Sequence, residues 1–195
     1  SMDHVIIEHL NRDVEDITEE GLKDTLPNMI FIDLYVRHYF RGEVVKTLVD
    51  SGQKVHCFGA GWDHLDCRHP ENIVNGNVLD SLGCLQQISR SKISLNVMPW
   101  FKDGAHDRVF NSMLNGAVCV SDGSRYMDEI LEDGKDYIKY DLAALTELPG
   151  KIEELLVNRD QWERIVASGY KKAADGHTWA DRARFLHSEI LCKIQ

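Results

Sequence analysis

Short apolar runs recur roughly every 20 to 25 residues along this chain and alternate with stretches of helical spacing, the pattern of strands joined by crossover helices. MIFIDLYV (29–36) is a continuous apolar run and reads as a strand buried on both faces. A basic loop, RHYFR (37–41), follows it, then a helix over Gly42 to Asp50 that Ser51-Gly52 stops. KVHCF (54–58) is the next strand, IVNG (73–76) a short strand or turn, and 79–90 a helix. KISLNV (92–97), AVCVS (117–121) and DYIKY (136–140) are further strands. Between them lie a helix starting at Asp107 and another over 125–132. From Pro149 onward the pattern is helical, and Thr178-Trp179-Ala180-Asp181 forms a capping box, with Asp in place of Glu, that opens a last helix over 179–193. These elements predict an α/β fold, a Rossmann-like doubly wound parallel sheet with C-terminal helices. The expected organisation is a helical segment or linker over 1–28, a nucleotide-binding domain over 29–159, and helices over 160–195 that pack on it.

Composition narrows the function. The 195 residues suffice for one domain with a sizeable core. A net charge of −10, with no block of Lys or Arg, argues against a nucleic-acid footprint. No apolar run approaches the ~20 residues of a membrane-spanning helix, and the start of the chain lacks the pattern of a signal peptide. The cysteines (Cys57, Cys67, Cys84, Cys119 and Cys192) are scattered and odd in number, which fits reduced core thiols in a cytoplasmic protein.

The helix from Asp107 carries the most suggestive chemistry. Val109, Phe110, Met113 and Leu114 share one face, while Arg108, Asn111 and Asn115 lie opposite. Because the helix ends at Gly116 before a buried strand, its N-terminus lies at the carboxyl edge of the sheet, where open α/β sheets bind ligands. Lys102, Asp103, His106 and Arg108 lie near that N-terminus, and its free N–H groups suit phosphate. Ser121-Asp122-Gly123-Ser124 follows the AVCV strand, with Ser124 placed to cap the next helix. Arg37, His38 and Arg41 follow the first expected strand, and such a positive cluster suits a diphosphate. An ordinary solvent-facing loop and a capped turn account for the same residues. Gly59-Ala60-Gly61 begins like a dinucleotide fingerprint but lacks the third glycine and an immediate helix. His64, Cys67 and His69 have no second cluster to complete a metal site, and no metal is assigned.

The ordered motifs resemble the donor-binding C-terminal half of GT-B glycosyltransferases, in particular the bacterial CgeB-like "glycosyl transferases group 1" proteins. Arg41, GAGW (59–62), NG (75–76), SKISLN (91–96), RVFNSMLNGAVCVSD (108–122), EILEDGKDYIKY (129–140) and HT (177–178) carry the resemblance, over roughly residues 29 to 190. It implies metal-independent transfer of a sugar from a nucleotide-sugar donor such as a UDP- or GDP-sugar, with no other cofactor. Under it, Asp103 and Arg108 are the catalytic candidates. Arg41, Gly59, Gly76, Lys102, His106, Asn111 and Ser124 are the donor-binding ones, with the base near Gly76 and Val78.

Related retaining enzymes carry a Glu-x7-Glu motif, where this chain has Asp103-x7-Asn111. Asn111 can bond a ribose hydroxyl without charge assistance. A non-catalytic nucleotide-sugar-binding or assembly module is therefore the alternative. The resemblance also implies an N-terminal GT-B domain or partner chain that binds the acceptor. Trp179, Phe185, Leu186 and Ile190 of the last helix either form an exposed patch open to that partner or to self-association, or complete the core.

Overall fold

In a computed structural model, the structure describes Pro27 and residues 30–194. The chain divides between His38 and Tyr39, and the unit from Tyr39 onward is compact. The expected helical segment over 1–28 lies, except for Pro27, outside the described residues.

The first element corrects the sequence reading. Residues 29–36 are not a strand and 37–41 are not a loop: Ile30–Asp50 is one helix, α1, of 21 residues. A short apolar run fits a buried strand or a helix equally well, and only the length of the regular segment separates them. No proline interrupts 30–50, and Ser51-Gly52 is the first stop, its turn closed by the Ser51 and Gly52 amides on the Leu48 and Val49 carbonyls. The buried residues of α1 are Val44, Val45, Leu48 and Val49, at helical spacing, whereas Phe31 is 70% exposed. Arg37 sits on this helix, paired with Asp33 one turn earlier at 2.9 Å.

The remaining strands fall near their expected places. β1 (Val55–Phe58) pairs in parallel with β2 (Ile73–Gly76), in register Val55 to Ile73. β3 (Ile93–Asn96), β4 (Val118–Ser121) and β5 (Ile138–Lys139) form a second parallel ladder in the order β3-β4-β5. The intervening helices are α2 (Ser81–Ser89), α3 (Asp107–Leu114) and α4 (Arg125–Ile130). α5 (Leu148–Val157), α6 (Arg159–Ala174) and α7 (Trp179–Ile194) follow. The architecture is the expected α/β one, with parallel strands and flanking helices, although the ladder runs in two pieces.

β4 shows why the sheet is covered on both faces. Its four residues are all buried, and successive side chains point to opposite sides. Val118 and Val120 enter a core with Val44 and Leu48 of α1, Leu148, Ile152 and Leu155 of α5, and Ile165 of α6. Cys119 enters the other core, with Val109, Phe110 and Met113 of α3 and Met127 of α4. Burial pushes the Cys119 thiol up to about 12, so it packs as a small apolar group. α6 closes on the sheet through Gly169, where a Cβ would stand 2.5 Å from the Asp136 carbonyl oxygen. Trp162 Nε1 ties the same helix to the Lys92 carbonyl at 2.9 Å.

The expected capping box at the start of α7 is present. The Asp181 carboxylate accepts from the Thr178 amide at 3.0 Å, and Thr178 Oγ1 accepts from the Asp181 amide at 3.2 Å. Between the two readings of the last helix, the structure selects the exposed one: Trp179, Phe185, Leu186 and Ile190 all face solvent. Among the described residues, no helix is long and apolar enough to cross a membrane.

Candidate functional site at the carboxyl edge of β3 and β4

β3 and β4 end side by side, with Asn96 opposite Ser121, and both residues are buried. A buried amide must find partners for all its polar atoms. Asn96 Nδ2 donates to Ser121 Oγ at 3.0 Å, and its backbone carbonyl accepts from the Tyr140 hydroxyl at 2.8 Å. Its Oδ1 is left facing the Arg108 guanidinium at 3.4 Å. Arg108 is thereby held against the strand end, one residue inside α3. Burial first, then the neighbouring Asp122 charge, pushes the Tyr140 phenol well above its ordinary range, so it serves only as a neutral donor.

The residue after β4 ties down the long loop between β3 and α3. The Asp122 side chain is 1% exposed, and a carboxylate is buried at this depth only when its oxygens are paired. Oδ1 accepts from the Met98 amide at 2.8 Å, and Oδ2 from Lys102 Nζ at 3.0 Å. Farther along the loop, the Arg125 amide donates to the Lys102 carbonyl at 2.8 Å. The Ser124 hydroxyl donates to the Gly104 carbonyl at 2.5 Å. The same hydroxyl caps α4 by accepting from the Met127 amide at 3.1 Å. The Arg125 and Asp103 side chains form an ion pair above these bonds. Phe101 lies across Gly104, where a Cβ would meet its ring at 2.7 Å, and 5.4 Å from the His106 ring.

α3 begins after His106, whose extended backbone makes it the cap residue without a side-chain capping bond. One turn in, Asn111 Nδ2 donates to Asp107 Oδ2 at 3.3 Å. On the inner face, Phe110 stacks flat on His177 at 4.5 Å. His177 Nδ1 meets Arg182 Nη2 at 3.0 Å, and a guanidinium can only donate, so Nδ1 accepts and the ring is neutral in this bond. Burial, then the positive charge of Arg182, holds the His177 pKa below its ordinary value.

At the ends of β1 and β2 the backbone is shaped by glycine. Gly59 takes φ +113°, a conformation that side chains oppose. Gly76 lies opposite Phe58, whose ring occupies the space a Cβ would need. Gly42, beside Arg41, lies against Leu65 of the loop after β1, with 3.3 Å between the Leu65 methyl and the place of a Cβ. Arg41 is therefore carried to this side of the molecule by α1, not by the loop that the sequence suggested.

The structure thus gathers Lys102, Asp103, His106, Arg108 and Ser124 in the two loops at the β3–β4 edge and the start of α3, with Asn111 one turn deeper. Gly59 and Gly76 occupy the β1–β2 edge, and Arg41 lies on α1. Ser124 is committed through its hydroxyl to the loop and the cap. Sequence reasoning assigned no role to Asn96, Arg125 or Tyr140, and treated Asp122 as a turn residue. A signal was present in the Asn96 and Asp122 positions, where polar residues end apolar strands, but their partners are 12 to 44 positions away. His64 and His69 bond locally, to Asp63 at 3.5 Å and Glu71 at 3.0 Å, and among the described residues no cluster of three potential metal ligands occurs.

A family model described as "Glycosyl transferase-like" matches residues 37–188. Among solved structures, the chain is similar to TarM, at 14% identity and a TM-score of 0.55, over 80% of this chain and 32% of TarM. It is also similar to Anabaena HepE, solved in complex with UDP-glucose, at 12% identity and a TM-score of 0.47, over 55% of this chain and 29% of HepE. The chain therefore spans less than a third of the length of either. No curated protein matches it.

Proposed function

The chain belongs to the glycosyl transferase-like family, and on that premise we propose that it is the donor-binding part of a GT-B glycosyltransferase that uses a nucleotide-sugar. The observation that carries this reading is the Arg108 guanidinium, fixed by Asn96 at the end of β3 and standing at the start of α3. A fixed cation beside the positive end of a helix favours a diphosphate. Lys102 adds a second cation, half exposed and within reach of the same edge.

In the proposed reaction, the bond between the anomeric carbon and the diphosphate oxygen breaks while the acceptor oxygen bonds to that carbon. The electron pair goes to the nucleoside diphosphate, whose charge Arg108, Lys102 and the α3 amides oppose without reorganisation. These cations supply the role that a metal ion fills in other enzymes, so transfer is expected to persist in a chelator. Asp103 exchanges its Arg125 partner for sugar hydroxyls, the backbone near His106 supports the sugar, and the base lies near Gly76 and Val78. The proton of the acceptor goes to a group outside this chain, in the proposed acceptor-binding domain or partner chain.

Calorimetric titration with UDP-, GDP- and ADP-sugars tests the site. Arg108→Ala is expected to weaken binding roughly 10- to 100-fold, the worth of a hydrogen bond to a charged group. Absence of binding by the wild type, or equal binding by the variant, overturns the assignment.

Asn111 favours a second reading. It stands where the related retaining enzymes carry a glutamate, and its amide bonds to Asp107. A full-length protein that binds the donor yet neither transfers nor hydrolyses it would be a binding or assembly module.

A further inference from the structure

We infer that Asp122 is a positioning residue that sets the β3–α3 loop before any ligand arrives. This rests on reading the β3–β4 edge as the donor site. The loop from Met98 to His106 carries Lys102, Asp103 and His106, yet it has no regular secondary structure to hold those side chains in place. What holds it comes from the turn after β4. Asp122 takes the Met98 amide at its start and the Lys102 ammonium in its middle, at 2.8 and 3.0 Å. Ser124 and Arg125 take the Gly104 and Lys102 carbonyls farther along.

The buried partner decides which of these bonds dominates. The Arg125–Asp103 pair is more than half exposed on both sides, and exposed pairs contribute little. The Asp122 side chain is out of water, so losing the Met98 amide leaves a buried acceptor unsatisfied. Of its two bonds, the one to the Met98 amide fixes backbone, while the one to Lys102 fixes a side chain that is 49% exposed and free to turn to a phosphate. The amide bond is therefore the one that places the loop. The ammonium bond keeps the Lys102 charge neutralised until a diphosphate competes for it.

This division of labour separates two variants. Asp122→Asn keeps an amide oxygen for Met98 and gives up only the charge, whereas Asp122→Ala gives up both. Amide hydrogen exchange of the ligand-free chain is measured over 98–106, with β3 and β4 as the internal reference for folding. A nucleotide-sugar titration follows, using the donor that binds the wild type. Asp122→Ala is expected to exchange at least tenfold faster over 98–106, with the strands unchanged, and to bind the donor about tenfold more weakly, since small misplacements of binding groups are costly. Asp122→Asn is expected to restore both to within about threefold of wild type. If Asp122→Ala loosens the strands as well, Lys102→Met takes its place: it must leave loop exchange at the wild-type level. Wild-type exchange in Asp122→Ala, an Asn variant as loose as the Ala variant, or a loosened loop in Lys102→Met overturns the inference. If the wild type binds no nucleotide-sugar, the functional reading fails, while the exchange result still decides the role of Asp122.

Discussion

The two parallel ladders of this molecule end at edges built in opposite ways. At the β3–β4 edge, buried Asn96, Ser121 and Asp122 hold the neighbouring loops through side chains. At the β1–β2 edge, the strands are partly exposed and the turn residues are glycines, where the absence of a side chain is what shapes the backbone. The first edge places charged groups in fixed positions at the cost of burying polar atoms, each of which needs a partner. The second leaves backbone and room. This is the division expected if charge is recognised at one edge and a flat base, through backbone groups, at the other.

The contrast in burial gives the largest expected effect. Met113 on α3 is 2% exposed and Leu82 on α2 is 64% exposed. Met113→Ala is expected to cost about 2–5 kcal/mol in urea denaturation, and Leu82→Ala less than about 0.5 kcal/mol. Equal costs would mean that the two halves are equally packed, and the contrast would fail.

The glycine edge is tested next. Gly76→Ala places a methyl group against the Phe58 ring and is expected to destabilise by about 1 kcal/mol. The double variant with Phe58→Ala should recover most of that loss, because the two residues contend for one space. An additive double variant would show that Gly76 is required for its backbone alone.

The smallest effect is a pH dependence against the inner face of α3. His177 faces Phe110 of α3, Arg182 and Asp181 of α7, and Lys172 of α6. Its folded pKa lies below the ordinary 6.5, so between the two values the unfolded chain binds more protons. Its contribution is therefore present in full above the unfolded value and is lost as pH falls toward and through the folded one. The melting temperature should drop between about pH 7.5 and pH 5, and His177→Asn should reduce that drop. A variant with the wild-type pH dependence removes His177 from the account.

Much of the frame was legible from pattern alone. Val118 to Ser121 is an uninterrupted apolar run that ends at a polar residue, and period and length place it as a buried strand. The α3 face and the Thr178–Asp181 box were equally readable, because their partners lie within four residues. The reading of 29–36 went wrong for a related reason. The run is apolar enough for either element, and pattern alone divides its continuation through Arg41 and Gly42 to Asp50 into a loop and a new helix. That error also put Arg41 on the wrong kind of element.

From Val55 onward, the amino-acid sequence by itself determined the order of strands and helices, and it determined the ends at which Arg108, Lys102 and Asp103 emerge and the family, because each depends on residues close together in the chain. Only the tertiary structure decided what holds those residues. Asn96 meets Tyr140 across 44 positions, Asp122 meets Met98 across 24, and Phe110 lies flat on His177. Such pairs leave no periodic trace, since a buried polar atom requires a partner but does not specify where in the chain that partner lies.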